Sequence, residues 1–177
     1  MNYHNITHED MKNGYGLRTV LWLSGCSHHC QGCQNPITWD PNSGVPFDLA
    51  AKKELFGYLD HDYCDGLTLS GGDPLYLDNW PEVLDLVREF REKFGNRKTI
   101  WLYTGYRMEE VRHNPILNYI DVLVDGKYIE SQRNTKRYWV GSDNQIIWKK
   151  KDGVWKKMPK EYERSLSEEA ETCGCDG

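Results

Sequence analysis

The chain is short of positive charge. Its 22 Lys and Arg against 27 Asp and Glu leave a formal net charge of −5. A phosphate-binding surface needs a basic excess, so nucleic acid is not expected as a partner. Long apolar runs are missing, which removes a membrane-spanning role. The opening stretch MNYHNITHEDMKNGYG has no apolar centre and does not read as a secretory signal. The expected compartment is therefore the cytoplasm, where thiols stay reduced. Cysteines number only six in 177 residues. In a reducing compartment they point to metal or redox chemistry more than to disulfides. No internal repeat is visible. The hydrophobic share of 38% and charged share of 28% are those of an ordinary globular protein. The length suffices for one domain with its own core and an appendage, without disulfide or metal staples.

What is present is concentrated. The stretch SGCSHHCQGCQNP holds Cys26, Cys30 and Cys33, with His28 and His29 between them. An apolar run rich in strand formers, LRTVLWLSG, leads directly into it. Further along, GLTLSGGDP, KTIWLYTGY and DVLVDGK read as three more strands, each ending in a glycine turn. Between them Asp48 can cap a helix through Leu49, Leu55, Phe56 and Leu59. A second helical stripe runs through Trp80, Val83, Leu84, Val87, Phe90 and Phe94, with Asn79 as its cap. A short helix is expected around Arg107 to Arg112.

Strands alternating with helices imply βαβ units, and hence an α/β fold: a partial (β/α) barrel of mainly parallel strands. Such folds bind ligands at the carboxyl ends of the strands. Four distinctive groups fall there: the cysteine loop, Gly71-Gly72-Asp73-Pro74, Thr104-Gly105-Tyr106 and Asp125-Gly126-Lys127. Their shared placement predicts one site.

Three clustered thiols suit an iron–sulfur cubane, in which three ligands leave one iron open to a small chelating molecule. Zinc, with His28 or His29 as a fourth ligand, is the alternative. SGGDP is good turn chemistry after any strand. Read functionally, its glycines let backbone approach a ligand, and Asp73 faces a ligand ammonium.

Cys26-x3-Cys30-x2-Cys33, followed one βα unit later by Gly-Gly-acid-Pro, resembles the radical S-adenosylmethionine superfamily. Within it, NGYGLRTVLWLSGC, CQGCQNPITW, LTLSGGDPLY, IWLYTGY, DVLVDGKY and GSDNQ resemble the activating proteins of anaerobic ribonucleoside-triphosphate reductases, over roughly residues 1 to 148. The resemblance implies a radical S-adenosylmethionine core domain over 1–148. It implies a [4Fe–4S] cluster on Cys26, Cys30 and Cys33, with S-adenosylmethionine bound to the open iron. Reductive cleavage of the sulfonium would yield a 5′-deoxyadenosyl radical, which takes a hydrogen from a glycine of the reductase large subunit. A reduced carrier such as flavodoxin would supply the electron. Gly71, Gly72 and Asp73 would line the methionine end. Thr104 and Gly105 would lie near the ribose, Asp125 on the nucleoside side, and Gly32, Cys33 and Gln34 near the adenine. Docking of the reductase would use the rim around Trp39, Tyr106 and Lys127.

The chain departs from the wider pattern at four places. Gly32 stands where much of the superfamily has an aromatic, Asp73 where it often has glutamate, Tyr15 where many activating enzymes have proline, and Val140 where an arginine is expected. Another glycyl-radical protein of the pyruvate formate-lyase type, or a small molecule, is the alternative substrate. A zinc-binding interaction module is the alternative from another class. Residues 149–177 read as a hairpin at Asp152-Gly153 followed by a charged tail of disordered composition, carrying Cys173 and Cys175. Cys64 reads as an ordinary thiol, and Trp22 and Trp101 as core.

Overall fold

Period-two alternation builds the central strands, and each of their two faces has a different use. In β2 (Arg18–Leu23), β4 (Gly66–Gly71), β5 (Thr99–Tyr103) and β6 (Val122–Asp125), one set of side chains is Leu21, Leu23, Leu67, Leu69, Ile100, Leu102 and Leu123. These pack in one core with two helices, α1 (Leu49–Leu59) and α2 (Trp80–Phe94). The opposite set includes Trp101, Val122 and Val124, which form a second, smaller cluster with Trp139 and Ile147. The computed structural model describes residues 1–159. The charged tail with Cys173 and Cys175 lies outside the described residues.

Both helices form where their sequence patterns predict. Asp48 caps α1 by accepting from the Ala51 amide at 2.9 Å. In α2 the stripe Val83, Leu84, Val87, Phe90 and Phe94 is buried, each side chain contributing about 1.5–3 kcal/mol of burial. Asn79 stands at the N-cap of α2 but makes no side-chain cap bond. Its amide Nδ2 donates instead to the Ser24 carbonyl at 2.6 Å, at the root of the cysteine loop. The third helix, α3, is a single turn, Met108–Val111.

The sheet corrects the expected fold class. It is an open, mixed sheet of eight strands in the order β3-β1-β2-β4-β5-β6-β7-β8, not a partial (β/α) barrel. Only the pairings β2–β4, β4–β5 and β5–β6 are parallel. The chain's two ends supply the difference. A polar N-terminal strand, β1 (Asn2–Asp10), pairs antiparallel with β2 and with the two-residue β3 (Val45–Pro46). At the other edge β7 (Ile146–Lys151) turns back antiparallel on β6, and β8 (Val154–Lys157) on β7, around Asp152-Gly153. Crossover helices are what curl a parallel sheet toward closure. Here they stop after the single turn of α3, and β3 and β8 end the sheet as separate edges. β1 was hidden because its residues are mostly polar and half-exposed, so it carries no apolar alternation.

A buried cation fastens the helix-free face. Arg18, 1% exposed, donates from Nε to Thr68 Oγ1 at 2.8 Å, and from its terminal nitrogens to the carbonyls of Tyr15, Leu67 and Thr99 and to Thr99 Oγ1. Burial pulls its pKa down to about 10. These bonds tie the loop containing Tyr15 to the sheet, and that loop becomes one wall of the cavity described next.

Candidate functional site

At the carboxyl ends of the parallel strands lies an open cavity of about 1120 Å³. Cys26, Cys30 and Cys33 line one side of it. Their loop leaves β2 and is stitched to its neighbours through backbone. The Gly25 amide donates to the Thr38 carbonyl at 2.7 Å and the Cys26 amide to the Trp39 carbonyl at 3.0 Å. The Asp73 amide, from the turn after β4, donates to the Gly25 carbonyl at 2.8 Å. The two glycines of that turn are needed for this fit. A Cβ on Gly72 would lie 2.4 Å from the Gly25 carbonyl oxygen, and one on Gly71 would lie 2.4 Å from the Leu23 amide nitrogen.

All three loop cysteines, and Cys64, are free thiols. The Asn35 amide donates to the Cys33 sulfur at 3.4 Å, and the backbone N–H groups of His28 and His29 beside Cys26 and of Tyr128 beside Cys30 act to lower those thiols' pKa. Donors aimed at sulfur favour thiolate and tune the clusters that thiolates bind. Burial works the other way. It pushes the Cys26 thiol up to about 11 and also raises Cys30.

The histidines do not join them. His28 Nε2 donates to Asp73 Oδ2 at 2.6 Å, and His29 stacks on Trp39 with centroids 4.6 Å apart. Among the described residues no three His, Cys, Asp or Glu side chains converge as they must around a single ion. A four-iron cluster takes one thiol per iron.

Most of the expected ligand-binding residues are brought to this cavity. Cys33 and Gln34 line it on the loop side, Gly71, Gly72 and Asp73 below, and Thr104 and Gly105 at the end of β5. Gly32 and Asp125 are not among its lining residues. Gly32 takes φ +74° and backs onto the Glu130 carboxylate. Asp125 is buried, accepting from the Met108 and Ile146 amides and from Trp148 Nε1. It binds α3 and β7 to the end of β6.

Asp73 is also buried, and its acceptor positions are filled by the protein. Oδ1 accepts from the Leu75 amide and Oδ2 from His28 Nε2 and the Gly105 amide, while Thr104 Oγ1 lies within 3.0 Å of both. The sequence suggested a carboxylate facing a ligand; in the structure Asp73 lines the cavity and also joins three strand ends. Asp73→Asn is therefore expected to destabilise the protein by about 3 kcal/mol, because hydrogen bonds to a charged acceptor contribute about 1.5–3 kcal/mol each. Thermal unfolding should show a fall of roughly 6–12 °C for a chain of this size. A midpoint within a degree of the parent would contradict the network.

Several lining residues gave no functional signal in the sequence. Trp22, expected in the core, faces the cavity and donates from Nε1 to Thr7 Oγ1. Tyr15 and Trp139 form an edge-to-face pair on the far wall, with Trp101 packed behind. The GSDNQ segment holds the turn after β6: Gln145 Nε2 donates to the Gly126 carbonyl and Asn144 Nδ2 to that of Lys127. Cys64 is buried beside Thr19, as an ordinary thiol should be.

A thiol loop of this kind on an α/β sheet defines an iron–sulfur protein, and the family comparison agrees. Residues 12–148 match the model of the 4Fe-4S single cluster domain. The anaerobic ribonucleoside-triphosphate reductase-activating protein of Enterobacteria phage T4 is 47% identical over 156 residues, covering 88% of this chain and 99% of that protein. Its counterpart in Escherichia coli K12 is 40% identical over 151 residues, covering 83% and 97%. The Vibrio cholerae protein is 41% identical over the same lengths and shares. The chain belongs to the family of anaerobic ribonucleoside-triphosphate reductase-activating proteins. Among the described residues no helix is long and apolar enough to cross a membrane.

Proposed function

We propose that this protein activates an anaerobic ribonucleoside-triphosphate reductase by radical S-adenosylmethionine chemistry, placing a glycyl radical on the reductase large subunit. The observation that carries the reading is the loop of three free thiols, Cys26, Cys30 and Cys33, at the edge of an open cavity. The family supports the activating role through relatives named anaerobic ribonucleoside-triphosphate reductase-activating proteins. When bound, the [4Fe–4S] cluster and S-adenosylmethionine supply one-electron cleavage of the sulfonium and hydrogen abstraction from glycine.

The chain's own residues bind and orient. Cys26, Cys30 and Cys33 hold the cluster. The backbone of Gly71 and Gly72 offers carbonyls to the amino-acid end of the ligand, Thr104 and Gly105 border its ribose, and Gln34 its base. Trp22, Tyr15 and Trp139 wall off water. Residues 1–148 form the catalytic core, and a reduced carrier such as flavodoxin supplies the electron. The side of the cavity that Trp39 lines receives the reductase; Tyr106 and Lys127, expected on the same rim, are not among the lining residues, and Tyr106 packs on His28 and the core.

The test is competitive. The reconstituted protein, S-adenosylmethionine and reductant are given equal amounts of the anaerobic reductase large subunit and a pyruvate formate-lyase. Electron paramagnetic resonance should show a glycyl radical on the reductase. A radical on the lyase alone would overturn the partner, and no radical on either would overturn the chemistry.

A further inference from the structure

His28 has no part in the function proposed above, yet the fold builds a socket for it. Its side chain is 6% exposed, although it sits on an irregular loop between two cysteines. Nε2 donates to Asp73 Oδ2 at 2.6 Å. The ring meets Tyr106 edge-on, with centroids 4.6 Å apart. Gly105 makes the room: a Cβ there would lie 2.5 Å from the imidazole. The socket thus comes from the turn after β4 and the end of β5, while the side chain it receives comes from the loop after β2.

We propose that His28 is a positioning residue, which pins the cysteine loop to the Gly-Gly-Asp turn and so sets how closely the cluster approaches the amino-acid end of S-adenosylmethionine. The inference rests on the proposed function. Its physical basis is that the cysteine loop has no regular secondary structure from Gly25 to Asn35. Backbone bonds hold its start and its exit. His28 is a side-chain link from the first half of the loop to the ligand-side strands. With Asp73 satisfied by His28, Thr104 and Gly105, the ligand ammonium is left to the backbone carbonyls of the turn.

Four variants decide it: His28→Ala, His28→Gln, Gly105→Ala and the double variant His28→Ala/Gly105→Ala. Each is reconstituted anaerobically with iron and sulfide. Three quantities are measured: iron per chain, binding of S-adenosylmethionine, and the change in the cluster's electron paramagnetic resonance spectrum when it is added. Binding of 5′-methylthioadenosine, which lacks the amino-acid end, is the control. With full clusters, His28→Ala and Gly105→Ala should bind S-adenosylmethionine about tenfold more weakly, the effect of losing one hydrogen bond to a charged group. Both should lose most of the spectral change, and His28→Ala should bind the control normally.

His28→Gln should restore both readouts, because its amide nitrogen reaches the place of Nε2. The double variant should match His28→Ala, since the alanine at 105 no longer meets a ring. A loss of stability alone would not produce this selectivity between ligands. Cluster loss in His28→Ala with retention in His28→Gln would support the same pinning role. Unchanged binding and spectrum in His28→Ala would overturn the inference. So would cluster loss in both His28 variants, which would make His28 a ligand, or additive effects in the double variant. If the parent itself takes up no cluster, or its spectrum ignores S-adenosylmethionine, the proposed function fails and the inference falls with it.

Discussion

Alanine in place of any one of Cys26, Cys30 and Cys33 is expected to abolish cluster assembly, while alanine at Cys64 leaves it intact. The expectation is all-or-none because the loop has no spare thiol. Cys64 is buried in the core beside Thr19 and the Gly66 carbonyl and cannot reach the cavity without unfolding its surroundings. Neither histidine is placed to substitute, since His28 is held by Asp73 and His29 lies on Trp39. In Cys33→Ala the Asn35 amide, which donates to the sulfur, would face an alanine methyl instead. Iron and sulfide analysis after anaerobic reconstitution reads the result. A full complement in the Cys30→Ala protein would remove these residues from the cluster site. Cys173→Ala and Cys175→Ala are expected to behave like Cys64→Ala.

Gly71→Ala is expected to cost on the order of 4 kcal/mol of folding stability. Two effects add. The residue takes φ +103°, where a side chain brings strain of about 1–3 kcal/mol. The new Cβ would also lie 2.4 Å from the Leu23 nitrogen and 2.5 Å from the Leu23 oxygen. Both are backbone atoms of β2, so they cannot rotate away, and forcing them apart costs roughly 1–3 kcal/mol more. The displaced strand end is the one from which the cysteine loop departs, so the same variant should also hold iron poorly. Gly57→Ala is the matched control. Gly57 is exposed in α1 with nothing within 4 Å of its would-be Cβ, and alanine there should stabilise the helix by about 0.5–1 kcal/mol. Denaturant unfolding of the two variants should therefore move in opposite directions. A Gly71→Ala midpoint equal to the parent's would mean that the turn does not press on β2 as described.

The cysteine loop was legible in the sequence because it is local. Three thiols within eight residues are neighbours in any fold, and no tertiary contact is needed to see that they suit a cluster. Helices α1 and α2 were legible for the same reason, since a cap and an apolar stripe act over a few turns. The four parallel strands also followed from local apolar runs. The sheet's shape did not. Whether crossovers close it or hairpins end it depends on pairing between distant segments, and β1, the strand on one side, has too polar a face to announce itself.

The roles of single residues divide along the same line. Sequence spacing placed Asp73, Asp125 and the paired glycines at strand ends, and strand ends are where ligands bind. Only the tertiary structure assigned their contacts. Asp125 turns to the Met108 amide and Trp148, away from the cavity. Asp73 is surrounded by donors from the loop after β2, from its own turn and from the end of β5. Gly71 and Gly72 are small because neighbouring backbone leaves no space. A residue type states what bonds a group can make. Which bonds it does make depends on the groups that long-range folding brings within 3 Å, and no local pattern encodes those.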